Sequence, residues 1–163
     1  MIQSYLTFHL GEEVFAANVD KVLEILEVPK ITHVPCAPEF LRGVINLRGT
    51  VLPVIDTRLK FGLPSVDDNI NTCIIVLKVN VEENEIIVGA TVDSVQEVAE
   101  INSNQIQAPP SIGSKYKSEF ISGMVKREES FAMILNLNLV FSTTESSLLN
   151  EVITNESSTI KNV

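Results

Sequence analysis

The sequence predicts an all-β protein made of two repeated barrels, each of about five strands, packed on a shared core. Three observations lead to this prediction. The apolar residues of the 163-residue chain lie in short runs rich in Val, Ile and Phe, with turn residues between them. No window of 12 or more residues carries a helical apolar stripe before the C-terminus. A segment of the first half also recurs in the second half, as expected for a duplicated fold.

Ten strands are predicted, each with the length and the β-branched or aromatic content of an ordinary strand. In chain order they lie at residues 5–10, 14–17, 22–28, 43–47, 50–55, 73–79, 86–92, 95–99, 121–126 and 131–136. Turn-forming pairs separate several neighbours, such as Gly11-Glu12, Arg48-Gly49 and Asn84-Glu85. Such pairs between two apolar runs indicate hairpins.

The last segment, residues 143–163, is predicted to be a short C-terminal helix followed by a frayed polar tail. Thr144 or Ser146 is placed to cap this helix. Its apolar side would carry Leu148, Leu149, Val152 and Ile153.

The internal repeat is the most informative feature of the chain. Residues 39–61 align without a gap on residues 119–141, with five of 23 columns identical and seven more pairing apolar residues. Residues 19–25 match residues 92–98 with four of seven identical. Closing each repeat into a barrel would remove exposed sheet edges. We therefore expect barrel subdomains at roughly residues 12–69 and 70–142, with a binding groove between them.

The charge balance argues against nucleic acid and membrane surfaces as partners. The chain has 12 Lys and Arg against 21 Asp and Glu, a formal charge of −9. Such a chain does not attract phosphate backbones or anionic lipids. An oligonucleotide- or sugar-binding double barrel remains an alternative, but those surfaces use stacked aromatics, and this chain has no Trp and two Tyr.

No residue pattern in the chain indicates catalysis, a cofactor or a metal. Gly-rich phosphate loops and nucleophile motifs do not occur. His33 and Cys36 lack further ligands at a metal-binding spacing, and Cys36 and Cys73 are expected to be reduced thiols. Acidic residues such as Glu24 and Glu97 recur at equivalent places in both repeats, which favours surface or turn-capping roles.

The two repeats differ at one hairpin turn. The first has Arg48-Gly49, whereas charged residues from Lys126 to Glu129 occupy the equivalent place in the second. An arginine beside a tight turn is suited to binding a carboxylate of another chain, and Arg42 could add to a small basic spot. The alternatives are that Gly49 only serves the turn and that Arg48 is a solvated surface residue.

The region around this turn resembles the CheW family of bacterial chemotaxis coupling proteins. Residues 39–49 read EFLRGVINLRG, and residues 51–58 read VLPVIDTR. The similarity extends from residues 5–8 to residues 120–123, and only the C-terminal tail lies outside it. The resemblance implies a CheW-like domain over residues 1–142, built of two five-stranded SH3-like barrels that exchange terminal strands.

The resemblance also implies a function without catalysis or cofactor. CheW-like proteins bridge the cytoplasmic tips of chemoreceptors to the regulatory domain of a CheA-type histidine kinase. The receptor-binding groove lies between the barrels, and the positions that match it here are Val22, Glu24, Arg42, Gly43, Arg48 and Gly89. The arginines would meet acidic receptor side chains, Glu24 a basic one, and Val22 would supply an apolar contact. Gly89 would allow close approach of a helix or would serve a barrel bend. The kinase-facing residues cannot be assigned.

Several expectations complete this interpretation. The start of the chain lacks a signal peptide, and no run of about 18 apolar residues occurs, so we expect a cytoplasmic protein at the inner face of the membrane through receptor arrays, without membrane insertion. The length predicts a stand-alone coupling protein, and edge contacts between like barrels predict weak self-association. An adaptor of a non-chemotaxis array, serving pili or development, is the alternative within the family.

Overall fold

The computed structural model describes residues 1–109 and 120–141 of the chain. These residues form eleven strands and two short helices. The strands are β1 (Ile2–Leu10), β2 (Glu13–Asn18), β3 (Val22–Glu27), β4 (Leu41–Leu47), β5 (Thr50–Asp56), β6 (Cys73–Val81), β7 (Asn84–Val92), β8 (Ser94–Asn102), β9 (Ile106–Gln107), β10 (Ile121–Arg127) and β11 (Ser130–Leu135). The helices are α1 (Thr57–Lys60) and α2 (Leu137–Val140). All ten predicted strands are present, whereas β9 was not predicted. The predicted C-terminal segment, residues 143–163, lies outside the described residues.

The strands form two curled sheets with closely related topologies. Sheet 1 has the order β3-β6-β7-β5-β4, and sheet 2 has the order β8-β1-β2-β11-β10-β9. Each sheet contains one parallel pair, β5 with β7 in sheet 1 and β2 with β11 in sheet 2, and the other pairs are antiparallel. The short β9 makes sheet 2 six-stranded. The all-β fold with a duplicated five-strand unit is confirmed.

The sheets divide the chain differently from the predicted ranges 12–69 and 70–142. Residues 73–92 form β6 and β7, which lie in sheet 1 because β6 pairs with β3 and β7 pairs with β5. Residues 2–18 form β1 and β2, which lie in sheet 2 beside β8 and β11. Each sheet therefore contains a hairpin from the other half of the chain.

The sequence repeat is reproduced in local structure. The segment β4-β5-α1 corresponds to β10-β11-α2, and both hairpins shift register next to the repeated glycine, Gly43 in β4 and Gly123 in β10. Both helices begin after a capping side chain at the same place in the repeat. Asp56 accepts a hydrogen bond from the Leu59 amide, and Asn136 accepts one from the Leu139 amide, each at 3.2 Å.

A large apolar core joins the two sheets. It contains residues from β1, β2, β4, β5, β6, β7, β10 and β11 and from α2. Its aromatic centre is fully buried Phe15, which stacks on Phe8 and Phe61 with ring centroids 6.0 and 5.2 Å apart. Each sheet also encloses a smaller interior cluster, which includes Ile45 and Leu52 in sheet 1. The predicted shared core is confirmed.

Candidate functional site

Three of the predicted site residues lie in one row across sheet 1. The pairing runs from Glu24 on β3 through Val76 and Gly89 to Val54 and Gly43 on β4. Residues in one row of a sheet point to the same face. Val76 and Val54 belong to the interior cluster of sheet 1, so the central part of this row faces the inside of the curl. Glu24 lies on β3, an outer strand of sheet 1, and its side chain can reach across the open end of the curled sheet.

Glu24 forms a two-pronged ion pair with Arg48. Its carboxylate oxygens accept hydrogen bonds from both terminal nitrogens of the guanidinium, at 2.6 and 2.9 Å. The hydrogen bond from Arg48 lowers the pKa of the Glu24 carboxyl, and the same bond raises the pKa of Arg48. Because β3 and β4 are the outer strands of sheet 1, this pair links its two edges.

The turn between β4 and β5 displays Arg48. Arg48 and Gly49 have φ angles of 52° and 84°, and a type I′ hairpin turn requires positive values at both central residues. The Asn46 side chain accepts a hydrogen bond from the Gly49 amide at 2.7 Å and braces the turn. The Arg48 side chain remains 72% exposed although it is paired. Gly49 therefore serves the turn, and the turn presents a charged group held in one orientation.

Two exposed apolar side chains lie next to Glu24 along β3, on the opposite face of the strand. Leu23 and Ile25 are 47% and 44% exposed, and Val22 packs partly against the shared core. Ile25 pairs with Ile75 of that core, so the apolar face of sheet 1 continues from the core to the surface at β3. Neither Leu23 nor Ile25 was among the groove positions predicted from the sequence. The sequence signal for them was the pattern of β3, which has apolar residues on both faces although no other element was expected to cover one of those faces.

Arg42 does not join the Glu24–Arg48 pair. Its guanidinium forms two hydrogen bonds with the Asp68 carboxylate, at 3.0 and 2.8 Å, in the loop between α1 and β6. Arg42 and Arg48 are thus each paired with a carboxylate of their own chain. The predicted common basic spot is replaced by two separate ion pairs.

The two glycines of the predicted site fill tight places in the barrel. A Cβ on Gly43, whose φ is 148°, would lie 2.2 Å from the backbone oxygen of Thr32. A Cβ on Gly89 would lie 2.9 Å from Cγ2 of Ile74 in the interior cluster. Both positions are therefore explained by packing within sheet 1. Gly43 and Gly89 lie in the same row of sheet 1 as Glu24, and they let the neighbouring backbone and side chains pack closely there.

Sheet 2 carries an ion pair at the equivalent place. Glu97 on β8 is 73 residues after Glu24 and pairs with Arg127 at the end of β10. The adjoining turn has Glu128, with a φ of 52°, and Glu129, where sheet 1 has Arg48 and Gly49. The corresponding ends of the two sheets therefore both carry a Glu–Arg ion pair, and they differ in the charge that the turn displays.

The described residues offer little for other chemistry. Within residues 1–109 and 120–141 no group of three or more His, Cys, Asp and Glu side chains is arranged to hold a metal ion. Cys36 and Cys73 are free thiols. A cavity of about 370 Å³ lies beside β8 and the β10–β11 hairpin, and none of the predicted site residues lines it. No helix in this part of the chain has the length and hydropathy needed to cross a membrane.

Comparison with known proteins accounts for this architecture. Residues 4–145 match the family description "CheW-like domain". The chemotaxis protein CheW of Klebsiella aerogenes is 31% identical over 150 residues, which cover 92% of this chain and 88% of that protein. The chemotaxis protein CheW of Bacillus subtilis is 31% identical over 138 residues, covering 85% and 86%.

A solved structure gives the same answer for the fold. The scaffolding protein TtCheW from Thermoanaerobacter tengcongensis superposes with a TM-score of 0.77 at 30% identity, covering 89% of this chain and 91% of that one. Its fold of two SH3-like barrels is the fold predicted here, and that prediction is confirmed. The sequence match, the coverage and the shared fold together show that this chain belongs to the CheW family.

Proposed function

We propose that this chain is a non-enzymatic adaptor that couples chemoreceptors to a CheA-type histidine kinase in bacterial chemotaxis signalling. Its relatives carry the names chemotaxis protein CheW and scaffolding protein. The observation that carries the proposal is the exposed end of sheet 1. There the Glu24–Arg48 pair and the exposed apolar Leu23 and Ile25 occupy the two faces of β3, a strand that continues the shared core.

The receptor tip is proposed to dock at this end as a helix in a groove. Apolar receptor side chains would cover Leu23 and Ile25 and remove them from water. An acidic receptor residue would take the donors of Arg48 that Glu24 leaves open, and a basic one would approach Glu24. Because the ion pair already holds both side chains in place, little side-chain entropy remains to be lost on binding.

The other predicted receptor residues have different parts in this proposal. Val22 supports β3 from the shared core, and Gly43 and Gly89 set the backbone on which the site stands. Arg42 can contact a receptor carboxylate only if it exchanges its present partner, Asp68. We therefore expect Arg42 to contribute less to receptor binding than Arg48.

The remaining faces are proposed to serve the kinase and the array. The regulatory domain of a CheA-type kinase, itself CheW-like, would meet outer barrel strands and end loops, and its contact residues are unassigned. Contacts of modest area would bind weakly one at a time, and the repeated array would supply avidity. Weak self-association through like barrel edges fits the same scheme. The receptors would hold the adaptor at the inner face of the membrane.

The oligonucleotide- or sugar-binding alternative has no supporting surface in the described residues. Of the aromatic side chains described there, only Phe131 is exposed. A stacking platform for bases or sugars needs several such rings beside a basic track. The described surface therefore favours the adaptor function over the oligonucleotide- or sugar-binding one.

The proposal is tested by titrating the protein with two partners from the same organism, a receptor cytoplasmic tip and the CheA-type regulatory domain. The parent protein should bind both saturably. Arg48→Glu places a second acid beside Glu24 and reverses the charge of the turn, so receptor affinity should fall at least tenfold while kinase binding is unchanged. Lys126→Glu, which makes the same charge change at an exposed position on β10 of sheet 2, is the matched control.

Two results would contradict this proposal. A folded parent that binds neither partner would refute the adaptor function. Equal receptor affinity for Arg48→Glu and the parent would leave the adaptor function in place and remove Arg48 from the receptor site.

A further inference from the structure

The strand pairing shows that neither repeat can complete a five-stranded sheet by itself. We call residues 2–60 repeat 1 and residues 73–140 repeat 2. Among the described strands, those of repeat 1 pair with one another only in the hairpins β1–β2 and β4–β5, and β3 pairs with β6 alone. Within repeat 2 the corresponding strand, β8, pairs with β1 alone among the described residues.

Four pairings between described strands join the two repeats: β1 with β8, β2 with β11, β3 with β6, and β5 with β7. An isolated two-stranded hairpin is only marginally stable in water. Each sheet is therefore completed by hairpins that come from opposite repeats. Nothing in these pairings requires that the two repeats belong to the same molecule.

The connector between the repeats, residues 61–72, is fastened to repeat 1. Besides backbone hydrogen bonds at its start, three side-chain contacts hold it there: Arg42 with Asp68 at 3.0 and 2.8 Å, Ser65 with the Asp56 carboxylate at 2.8 Å, and the Arg58 Nε with the Pro64 carbonyl at 2.8 Å. We call these three contacts the clasp. Between them Val66 is 54% exposed, and Ile70, further along, is 99% exposed. Beyond Phe61 and Leu63, which pack in and against the shared core, the connector is thus a surface loop whose path depends on polar contacts with repeat 1.

We propose that the two repeats can exchange partners between two copies of this chain, and that the clasp keeps the exchange within one copy. In the exchanged dimer, repeat 1 of each molecule pairs with repeat 2 of the other. All four inter-repeat pairings and all three apolar clusters are then retained. The two states differ in the connector and in the entropy of association, so their ratio depends on protein concentration.

This inference does not depend on the proposed function. It gives Arg42 a role in the folded chain that the receptor interpretation left out. It also predicts that the choice between monomer and exchanged dimer is made during folding, because a folded molecule can exchange only if every inter-repeat strand pair opens.

Complementation between full-length variants tests the exchange directly. Ile45→Asp puts a charge inside sheet 1 in repeat 1, and Val125→Asp does so inside sheet 2 in repeat 2. The two positions are equivalent, 80 residues apart, and 3% and 4% exposed. When the two variants are unfolded and refolded together, the exchanged dimer contains one undamaged unit, formed by the intact repeats.

The expected result is a heterodimer with a thermal transition near that of the parent, detected by co-elution of two different affinity tags. Each variant refolded alone should lack this transition. The control mixes Ile45→Asp with Leu52→Asp, which damages the same repeat in both molecules, so no undamaged unit can form. Absence of the heterodimer, or equal co-elution in the control mixture, would overturn the exchange.

The clasp is tested in the otherwise intact protein. Ser65→Ala combined with Asp68→Asn removes two of its contacts and leaves all three apolar clusters unchanged. After refolding at equal protein concentration, the dimer fraction measured by light scattering should rise severalfold over the parent. Lys78→Ala removes the Lys78–Glu85 contact inside the β6–β7 hairpin and should not raise it. An unchanged dimer fraction in the double variant would refute the role of the clasp, whatever the complementation shows.

Discussion

Replacing Gly43 by alanine should destabilise the protein far more than the same change at Gly49. Gly43 lies where the segment before β4 crosses that strand, and two hydrogen bonds join Thr32 and Val44 at 2.8 and 2.9 Å. An added Cβ would lie 2.2 Å from the Thr32 oxygen, which is a backbone atom and cannot rotate away. The φ of 148° is also unfavourable for any residue with a Cβ.

The expected cost follows from these two features. A residue forced into a glycine-only backbone region costs about 1–3 kcal/mol. Moving Thr32 aside would weaken both of its hydrogen bonds with Val44, each worth about 1 kcal/mol. The total, about 3–5 kcal/mol, is a large part of the stability of an ordinary domain. For a protein of this size it corresponds to a fall in melting temperature of about 10 °C.

Gly49 provides the comparison because it has a positive φ without a steric conflict. Its φ is 84°, and a Cβ there would meet nothing within 4 Å. Its replacement by alanine should cost about 1 kcal/mol. Thermal unfolding followed by circular dichroism measures both variants. If Gly43→Ala melts within about 2 °C of Gly49→Ala, the close approach of Thr32 does not limit this position and the reasoning fails.

Three further predictions concern charge and packing. In Arg48→Ala the pKa of the Glu24 carboxyl, measured by carboxyl NMR, should rise toward its ordinary value near 4.5, and an unchanged pKa would contradict the pairing. In the parent, the contribution of Glu24 to stability is present above pH 4.5 and is lost as the pH falls through the lowered pKa. Asp93→Ala removes the carboxylate that Arg58 contacts at 2.5 Å and should lower the free energy of unfolding in urea by about 2–3 kcal/mol, whereas a change below about 1 kcal/mol would mark the pair as dispensable. Phe15→Ala should cost about 3–5 kcal/mol and leave a single calorimetric transition, since the shared core joins both sheets; two separate transitions would show that the sheets unfold independently.

Local patterns predicted the strands, the repeat and the shared core, because alternation and turn chemistry act within a few residues. The assignment of residues 73–92 to a sheet was not accessible in this way. Those residues pair with β3 and β5, which are distant in sequence, and the apolar pattern of β6 and β7 is compatible with either barrel. Nor was β9 predicted, since two residues are too few to show a period.

The candidate site was predicted in part. The Glu24–Arg48 contact joins two predicted residues, but the sequence assigned them to opposite receptor charges and not to each other. Arg42 was placed with Arg48 from their spacing, whereas its partner Asp68 lies in a polar loop without periodicity. Side-chain pairing across a curled sheet depends on its closure, and neither spacing nor composition reports that.

Comparison of the two sheet ends explains why a receptor site is proposed at only one of them. Both ends are fastened by a glutamate on an outer strand and an arginine of the opposite hairpin, Glu24 with Arg48 and Glu97 with Arg127. In sheet 1 the turn itself supplies the arginine, so Arg48 both pairs with Glu24 and is displayed to a partner. In sheet 2 the arginine precedes the turn, and the turn displays Glu128 instead. A partner that carries a carboxylate is attracted to the first end and repelled from the second, so the duplicated fold presents two distinguishable ends without a change in its core.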